Sequence, residues 1–209
     1  LRKRDMIPYF IIGPSRAGSA WLCSMLASTG VAGRPRDIID SKHPWPEWEL
    51  CRGENGVIGA RPSWRAASKI IGKMSPHDFK QLKIISIRRD DIWLQAVSLY
   101  RAEQSGLWHK YRGDKTGKMD GIAFDADAIR SVHKSLLYEY RACRKFFAKI
   151  GKVPMTISYE YVCEDPVRAT MEVLGFLGIE YSGEVDTGAT IKMRDETSEE
   201  WAARLSSGK

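Results

Sequence analysis

Few cysteines, no long apolar run and no arginine-rich tract are found in this chain, and each absence narrows what it can do. Cys23, Cys51, Cys143 and Cys163 are widely scattered, with no C-x-x-C pair. Neither a zinc site nor a redox dithiol is suggested, and reduced thiols in a cytoplasmic protein fit best. No apolar run approaches the ~20 residues of a membrane span. The basic start Leu1-Arg2-Lys3-Arg4-Asp5 leads into a short apolar stretch containing Pro8, which runs into a glycine loop. That stretch reads as a strand and not as a signal peptide; since residue 1 is Leu, a trimmed leader stays open. No basic strand interleaved with aromatics is present, which argues against nucleic acid as a partner.

A further absence sits inside that glycine loop. Gly13-Pro14-Ser15-Arg16-Ala17-Gly18-Ser19-Ala20 follows the apolar run Ile7–Ile12 and precedes a helix-like segment from Trp21. A strand, a glycine turn and a helix form a phosphate cradle, because the helix start offers unpaired N–H groups and a positive dipole end. A nucleoside-triphosphatase loop reads G-x-x-x-x-G-K-[ST]. Gly13 and Gly18 have that spacing, but Ser19 replaces the lysine and Ala20 replaces the metal-binding hydroxyl. A cation stands within the loop instead, as Arg16. The loop suits a phosphate and fits Mg²⁺-ATP poorly.

The rest of the chain supplies a frame for this loop. Its 209 residues suffice for one domain, and 43% hydrophobic with 28% charged residues is ordinary for an α/β protein. The net charge of +7 favours anionic partners: a nucleotide, an acidic substrate or an anionic membrane surface. Strands are predicted at Ile7–Ile12, Val57–Ala60, Lys83–Arg88 and 154–159. Helices are predicted over Ser19–Ser28, 64–73, 91–105, 125–150 and 165–178, with another starting at Ser75-Pro76. Residues 34–56 read as a loop or short helices, and 190–205 as a polar tail. Alternating strands and helices predict a P-loop-like three-layer α/β fold, a central parallel β-sheet flanked by helices. Ligands bind such sheets at the carboxyl ends of the strands. That rule puts Gly13–Ser19 and Arg88–Asp91 in one cleft.

The second segment, Arg88-Arg89-Asp90-Asp91-Ile92-Trp93-Leu94-Gln95-Ala96-Val97-Ser98, leaves a strand and enters a helix. A guanidinium fork at Arg89 plus the Ser98 hydroxyl makes a second anion site. Taken alone, the arginine pair reads more readily as a solvated turn bonded to Asp90 and Asp91. Beside the glycine loop, it implies a nucleotide with two separate phosphates.

A loop of the form x-[RK]-S-G-[ST]-[ST]-[LW], with a distal R-x-D-x-x-x-Q-A-x-S, resembles the sulfotransferases that use 3′-phosphoadenosine 5′-phosphosulfate (PAPS). The resemblance is greatest to the bacterial trehalose 2-sulfotransferase family. Thr29-Gly30-Val31-Ala32-Gly33-Arg34-Pro35 stands where that family has T-G-V-A-G-E-P, and Gln95–Gln104 continues the distal match. The resemblance implies one sulfotransferase-like domain over residues 1–209, a homodimer, and no metal. By position, Arg16, Ala17, Gly18, Ser19 and Ala20 would hold the 5′-phosphosulfate, and Arg89 and Ser98 the 3′-phosphate. Lys192 and Arg194 would close over the nucleotide. Asp37 takes the place of the general base, and Arg16 would balance charge on the leaving phosphate. Arg34, Arg61, Trp108 and His109 are the candidate acceptor contacts.

Departures from the pattern matter as much. Ala17 and Ala20 replace hydroxyl residues, and each lost charge-assisted hydrogen bond is worth roughly 1.5–3 kcal/mol. Arg34 replaces a glutamate, which argues against trehalose and for an anionic carbohydrate or glycolipid acceptor. Trp45, Trp48, Trp64 and Trp108 could form a sugar-stacking wall or pack in the core. His43 is a rival base, His77 and His133 read as structural or solvated, and Tyr159-Glu160 reads as a strand end. Two other functions compete with sulfuryl transfer: a P-loop small-molecule kinase, and a non-catalytic nucleotide-binding relative.

Overall fold

The computed structural model describes residues 6–38, 42–109, 121–188 and 195–207. Among these, four strands form one all-parallel sheet in the order β2-β1-β3-β4. They are β1 (Ile7–Ile12), β2 (Val57–Ala60), β3 (Lys83–Arg88) and β4 (Met155–Ser158). Side chains alternate across a strand, so β1 feeds two cores at once. Tyr9 and Ile11 pack with Leu22, Met25 and Leu26 of α1 (Ser19–Ser28) and with Val173, Leu174 and Leu177 of α8 (Pro166–Leu177). Phe10 and Ile12 face the other way. They meet Trp48 of α2 (Pro44–Glu49), Ala67 and Ile70 of α3 (Trp64–Ile71), and Phe146 and Phe147 of α6 (Ala126–Lys149). Helices therefore cover both faces of the sheet, as predicted.

The first three strands and α1 fall at their predicted bounds. The fourth strand is shorter than predicted. Ser158 ends it, because its hydroxyl accepts from the Tyr161 N–H and caps α7 (Tyr159–Glu164). Tyr159-Glu160 is thus a helix start, not a strand end. Asp91 caps α5 (Ile92–Ser105), and Ser75 caps α4 (Pro76–Gln81). The segment expected as a polar tail holds a helix, α9 (Glu196–Ser206). It buries Trp201, Ala202 and Leu205 against Leu94, Val97 and Tyr100 of α5. Its start is latched by Arg101, whose guanidinium pairs with Asp195 and donates to the Ser198 hydroxyl. Burial and the latch together outweigh the segment's polar composition.

Candidate anion-binding site

The loop from Gly13 to Gly18 joins β1 to α1 at the carboxyl ends of β1 and β3. Glycine is required at both its ends for different reasons. A Cβ at Gly13 would lie 2.2 Å from the Ile87 carbonyl oxygen, so no side chain fits between loop and β3. Gly18 has φ +90°, and a Cβ there would meet the Tyr159 ring at 2.5 Å. Between them Arg16 adopts φ 63°, a left-handed conformation that costs a non-glycine residue roughly 1–2 kcal/mol. Ala17 is fully buried, with its N–H donated to the Pro14 carbonyl at 3.3 Å. It shapes the loop from beneath.

α1 opens differently from the helices after α2. A Ser or Asp side chain caps each of α3 to α9. Gly18 gives α1 no side-chain cap, and its first turn holds no acidic residue. Such a helix end presents backbone N–H groups and a positive dipole.

Arginines 16, 61 and 89 surround it. Arg16 donates from Nε to Ser98 Oγ (3.0 Å) and from Nη1 to the Trp108 carbonyl. Arg61, buried at the end of β2, donates to Ser19 Oγ at 2.9 Å and forms an ion pair with Asp37. That pairing is templated by the backbone: residues 36–38 run alongside Arg61, with Arg61 N–H on the Arg36 carbonyl and Ile38 N–H on the Arg61 carbonyl. Arg89 is buried at the end of β3, its guanidinium 4.7 Å from the centre of the Tyr159 ring and its Nε 3.8 Å from Glu160. Burial, followed by the charge of Arg89, lowers the Arg16 pKa to about 10. Burial and then the Arg61 and Arg16 charges also hold His109 below its ordinary value.

The solvated-turn reading holds for Arg88, which is exposed and pairs with Asp90 at 3.1 Å, and for Asp91, the α5 cap. It does not hold for Arg89. The structure thus brings Arg16, Gly18, Ser19, Arg61, Arg89, Ser98 and Asp37 together, with Ala20 on the first turn of α1. Arg34 stands exposed, its backbone N–H on the Cys51 carbonyl. Trp108 reaches Arg16 through its carbonyl and leaves its side chain at the surface. The tryptophan wall is not formed. Trp48 is core, Trp45 packs on it at 5.1 Å, and Trp64 donates to Glu139. Lys192 and Arg194 lie outside the described residues.

Three contributors are not among the candidates drawn from sequence. Gln95 is fully buried and donates from Nε2 to the Ser15 carbonyl at 2.8 Å. Tyr140 donates to Gln95 Oε1 at 2.8 Å and accepts the Arg89 N–H at 2.9 Å. Glu160 accepts the Asp90 N–H at 2.9 Å. Gln95 was the legible one, since an amide on the inner face of a helix must find partners.

The family model described as Stf0 sulphotransferase matches residues 52–207. The chain belongs to the Stf0 sulphotransferase family. The match takes in Arg61, Arg89, Gln95, Ser98, Tyr140 and Tyr159, while the glycine loop precedes it. This sulfotransferase is 24% identical to trehalose 2-sulfotransferase of Mycolicibacterium smegmatis over 252 aligned positions, covering 94% of this chain and 93% of the relative. It is 23% identical to trehalose 2-sulfotransferase of Mycobacterium tuberculosis (strain Erdman) over 231 positions, covering 84% and 85%. The sulfotransferase structure from Alicyclobacillus acidocaldarius shares its fold, with a TM-score of 0.52 at 16% identity and coverage of 97% and 92%.

Proposed function

We propose that this sulfotransferase moves the sulfuryl group of PAPS onto a hydroxyl of a carbohydrate or glycolipid by in-line displacement. The observation that carries this reading is the convergence of Arg16, Arg61 and Arg89 on an uncapped helix start. Asp37 pairs with Arg61 and Glu160 lies beside Arg89, while burial and then repulsion from Arg89 hold Arg16 below its usual pKa. A bound dianion relieves that repulsion.

In this reading Arg16, Arg61 and the first-turn N–H groups at Gly18, Ser19 and Ala20 hold the 5′ end of the donor, while Arg89 and Ser98 hold the 3′-phosphate. When bound, the nucleotide supplies the sulfuryl group and leaves as 3′,5′-adenosine bisphosphate. Asp37 accepts the proton of the acceptor hydroxyl, and Arg16 and Arg61 balance the charge left on the 5′-phosphate. His109 is the second candidate base: its lowered pKa keeps the imidazole neutral at pH 7 and able to take a proton.

Two observations separate this reading from its rivals. In a kinase, Mg²⁺ would need a free hydroxyl after the loop. Here Ser19 Oγ accepts from Arg61, and Ala20 has none. The loss of a hydroxyl at Ala17 favours the non-catalytic alternative less than it first suggests, because that side chain is in the core.

The names of the relatives support a sugar acceptor. Arg34 at the surface favours one that carries an anionic group. Peripheral contact with an anionic membrane would fall on α6. Six cations against Asp127 and Glu139 give this helix +4 of the chain's +7. Arg130, Lys134, Arg141 and Lys145 share its exposed face with Tyr138, opposite the buried Ile129–Leu136–Cys143 stripe.

Transfer of radiolabelled sulfate from PAPS into carbohydrate and lipid fractions of a cell extract tests the proposal. Label in a glycan or glycolipid is expected. No label from a protein that binds 3′,5′-adenosine bisphosphate would favour the non-catalytic reading.

A further inference from the structure

A partly buried hydrogen-bond chain that no proposed catalytic role uses joins the two halves of the donor site. The Arg89 N–H, at the end of β3, donates to Tyr140 Oη at 2.9 Å. Tyr140 donates to Gln95 Oε1 at 2.8 Å. Gln95 Nε2 donates to the carbonyl of Ser15, the residue before Arg16, at 2.8 Å. Both ends of the chain are backbone groups, so it fixes main-chain positions and not side-chain rotamers. One end sits in the glycine loop, the other at the arginine of the second anion subsite. Gln95 is fully buried, and an amide there without partners is strongly disfavoured. The interaction is therefore committed to this one arrangement. Arg16 and Ser98 also touch, but both are side chains that the proposed donor engages. The chain through Gln95 and Tyr140 depends on neither.

We infer that Gln95 and Tyr140 are positioning residues that set the separation between the 5′ and 3′ anion subsites. The inference rests on the donor reading above. A nucleotide with phosphates at both positions gains from its second phosphate only if the subsites already stand at the right spacing. A nucleotide monophosphate makes no such demand. Slack between the subsites thus weakens a bisphosphate selectively, whereas a general loss of structure weakens every nucleotide alike.

Tyr140→Phe keeps the ring and removes the hydroxyl, leaving Gln95 Oε1 and the Arg89 N–H without this partner. Calorimetric titration of wild type and variant would use 3′,5′-adenosine bisphosphate, adenosine 5′-monophosphate and adenosine 3′-monophosphate. Affinity for the bisphosphate is expected to fall about tenfold, and that for each monophosphate less than about threefold. Equal losses for all three ligands, or no loss for any, would overturn the inference. If Tyr140→Phe does not fold, Gln95→Met carries the same comparison, as it keeps side-chain length and burial. Wild-type protein that binds none of the three overturns the donor reading itself, and the inference with it. A wild type that prefers the bisphosphate, with the same preference in both variants, overturns the positioning role alone.

Discussion

Replacing Arg16 with glycine should move stability and binding in opposite directions. Arg16 holds φ 63° in the free protein. Glycine removes a left-handed penalty of roughly 1–2 kcal/mol but costs about 0.5–1 kcal/mol in unfolded-chain entropy. The larger effect is charge. Burial and Arg89 bring the Arg16 pKa from 12.5 to about 10. At 1.36 kcal/mol per unit, that is roughly 2–4 kcal/mol of unfavourable charge in the folded state. Against this, the bonds to Ser98 Oγ and the Trp108 carbonyl are lost. Trp108 is 43% exposed and water replaces Arg16 there, so each lost bond costs about 1 kcal/mol. The sum is a free protein as stable as wild type or up to about 3.5 kcal/mol more so, a Tm rise of up to roughly 7–14 °C at this size. Binding goes the other way. Loss of charge-assisted bonds to the 5′-phosphate should lower affinity for 3′,5′-adenosine bisphosphate about 10- to 150-fold. Urea denaturation and thermal melts, each with and without the bisphosphate, measure both quantities. An Arg16→Gly protein that melts more than about 4 °C below wild type, yet keeps the full bisphosphate shift, would exclude Arg16 as an anion ligand. Arg16 would then be a structural strut and not an anion ligand.

Gly18→Ala adds a left-handed penalty to a clash with Tyr159. It should destabilise the protein by about 2–4 kcal/mol, read as a lower urea midpoint; an unchanged midpoint would count against the close approach of the loop to α7. Hydrogen bonding from Arg101 draws the Asp195 pKa from 3.8 down to about 2. The stability this adds is present above about pH 4 and lost as pH falls toward 2. The stability gap between wild type and Asp195→Ala should therefore close over that window, and a gap constant in pH would contradict the latch. Asp37→Asn should lower sulfuryl transfer at least about 100-fold while the bisphosphate still shifts Tm; undiminished turnover would move the proton transfer to His109. Charge reversal of Lys134, Arg141 and Lys145 should abolish co-sedimentation with vesicles rich in anionic lipid, each cation being worth about 1 kcal/mol there, and unchanged binding would exclude α6 as the contact.

How much of this was legible depended on the range of the interactions. β1 and β3 are apolar runs of β-branched and aromatic residues ending at glycine or charge, so their bounds follow from composition and periodicity. The cleft followed from sheet topology, and Arg16, Arg89 and Ser98 from the spacing of loop and helix. The Arg61–Asp37 pair was out of reach, because only the bridge between residues 37 and 61 brings it together. Composition could not separate a wall of four tryptophans from core packing either; the deciding partners, Phe10 and Glu139, lie far away in sequence. α9 escaped because its apolar positions are few and its anchor, Arg101, sits 94 residues from Asp195. Its start was nonetheless signalled, since Asp195 stands three residues before Ser198 in a capping arrangement.

In the proposed function, the loop and the end of β3 together form a site for a nucleotide with separate 5′ and 3′ phosphates. A thermal-shift titration of the wild-type protein with 3′,5′-adenosine bisphosphate and, separately, with Mg²⁺-ATP tests it most directly. At 100 times its Kd the bisphosphate should stabilise by about 2.7 kcal/mol, roughly 5–11 °C for a chain of this size, with little response to Mg²⁺-ATP. A shift with Mg²⁺-ATP and none with the bisphosphate would rule out a bisphosphate site there.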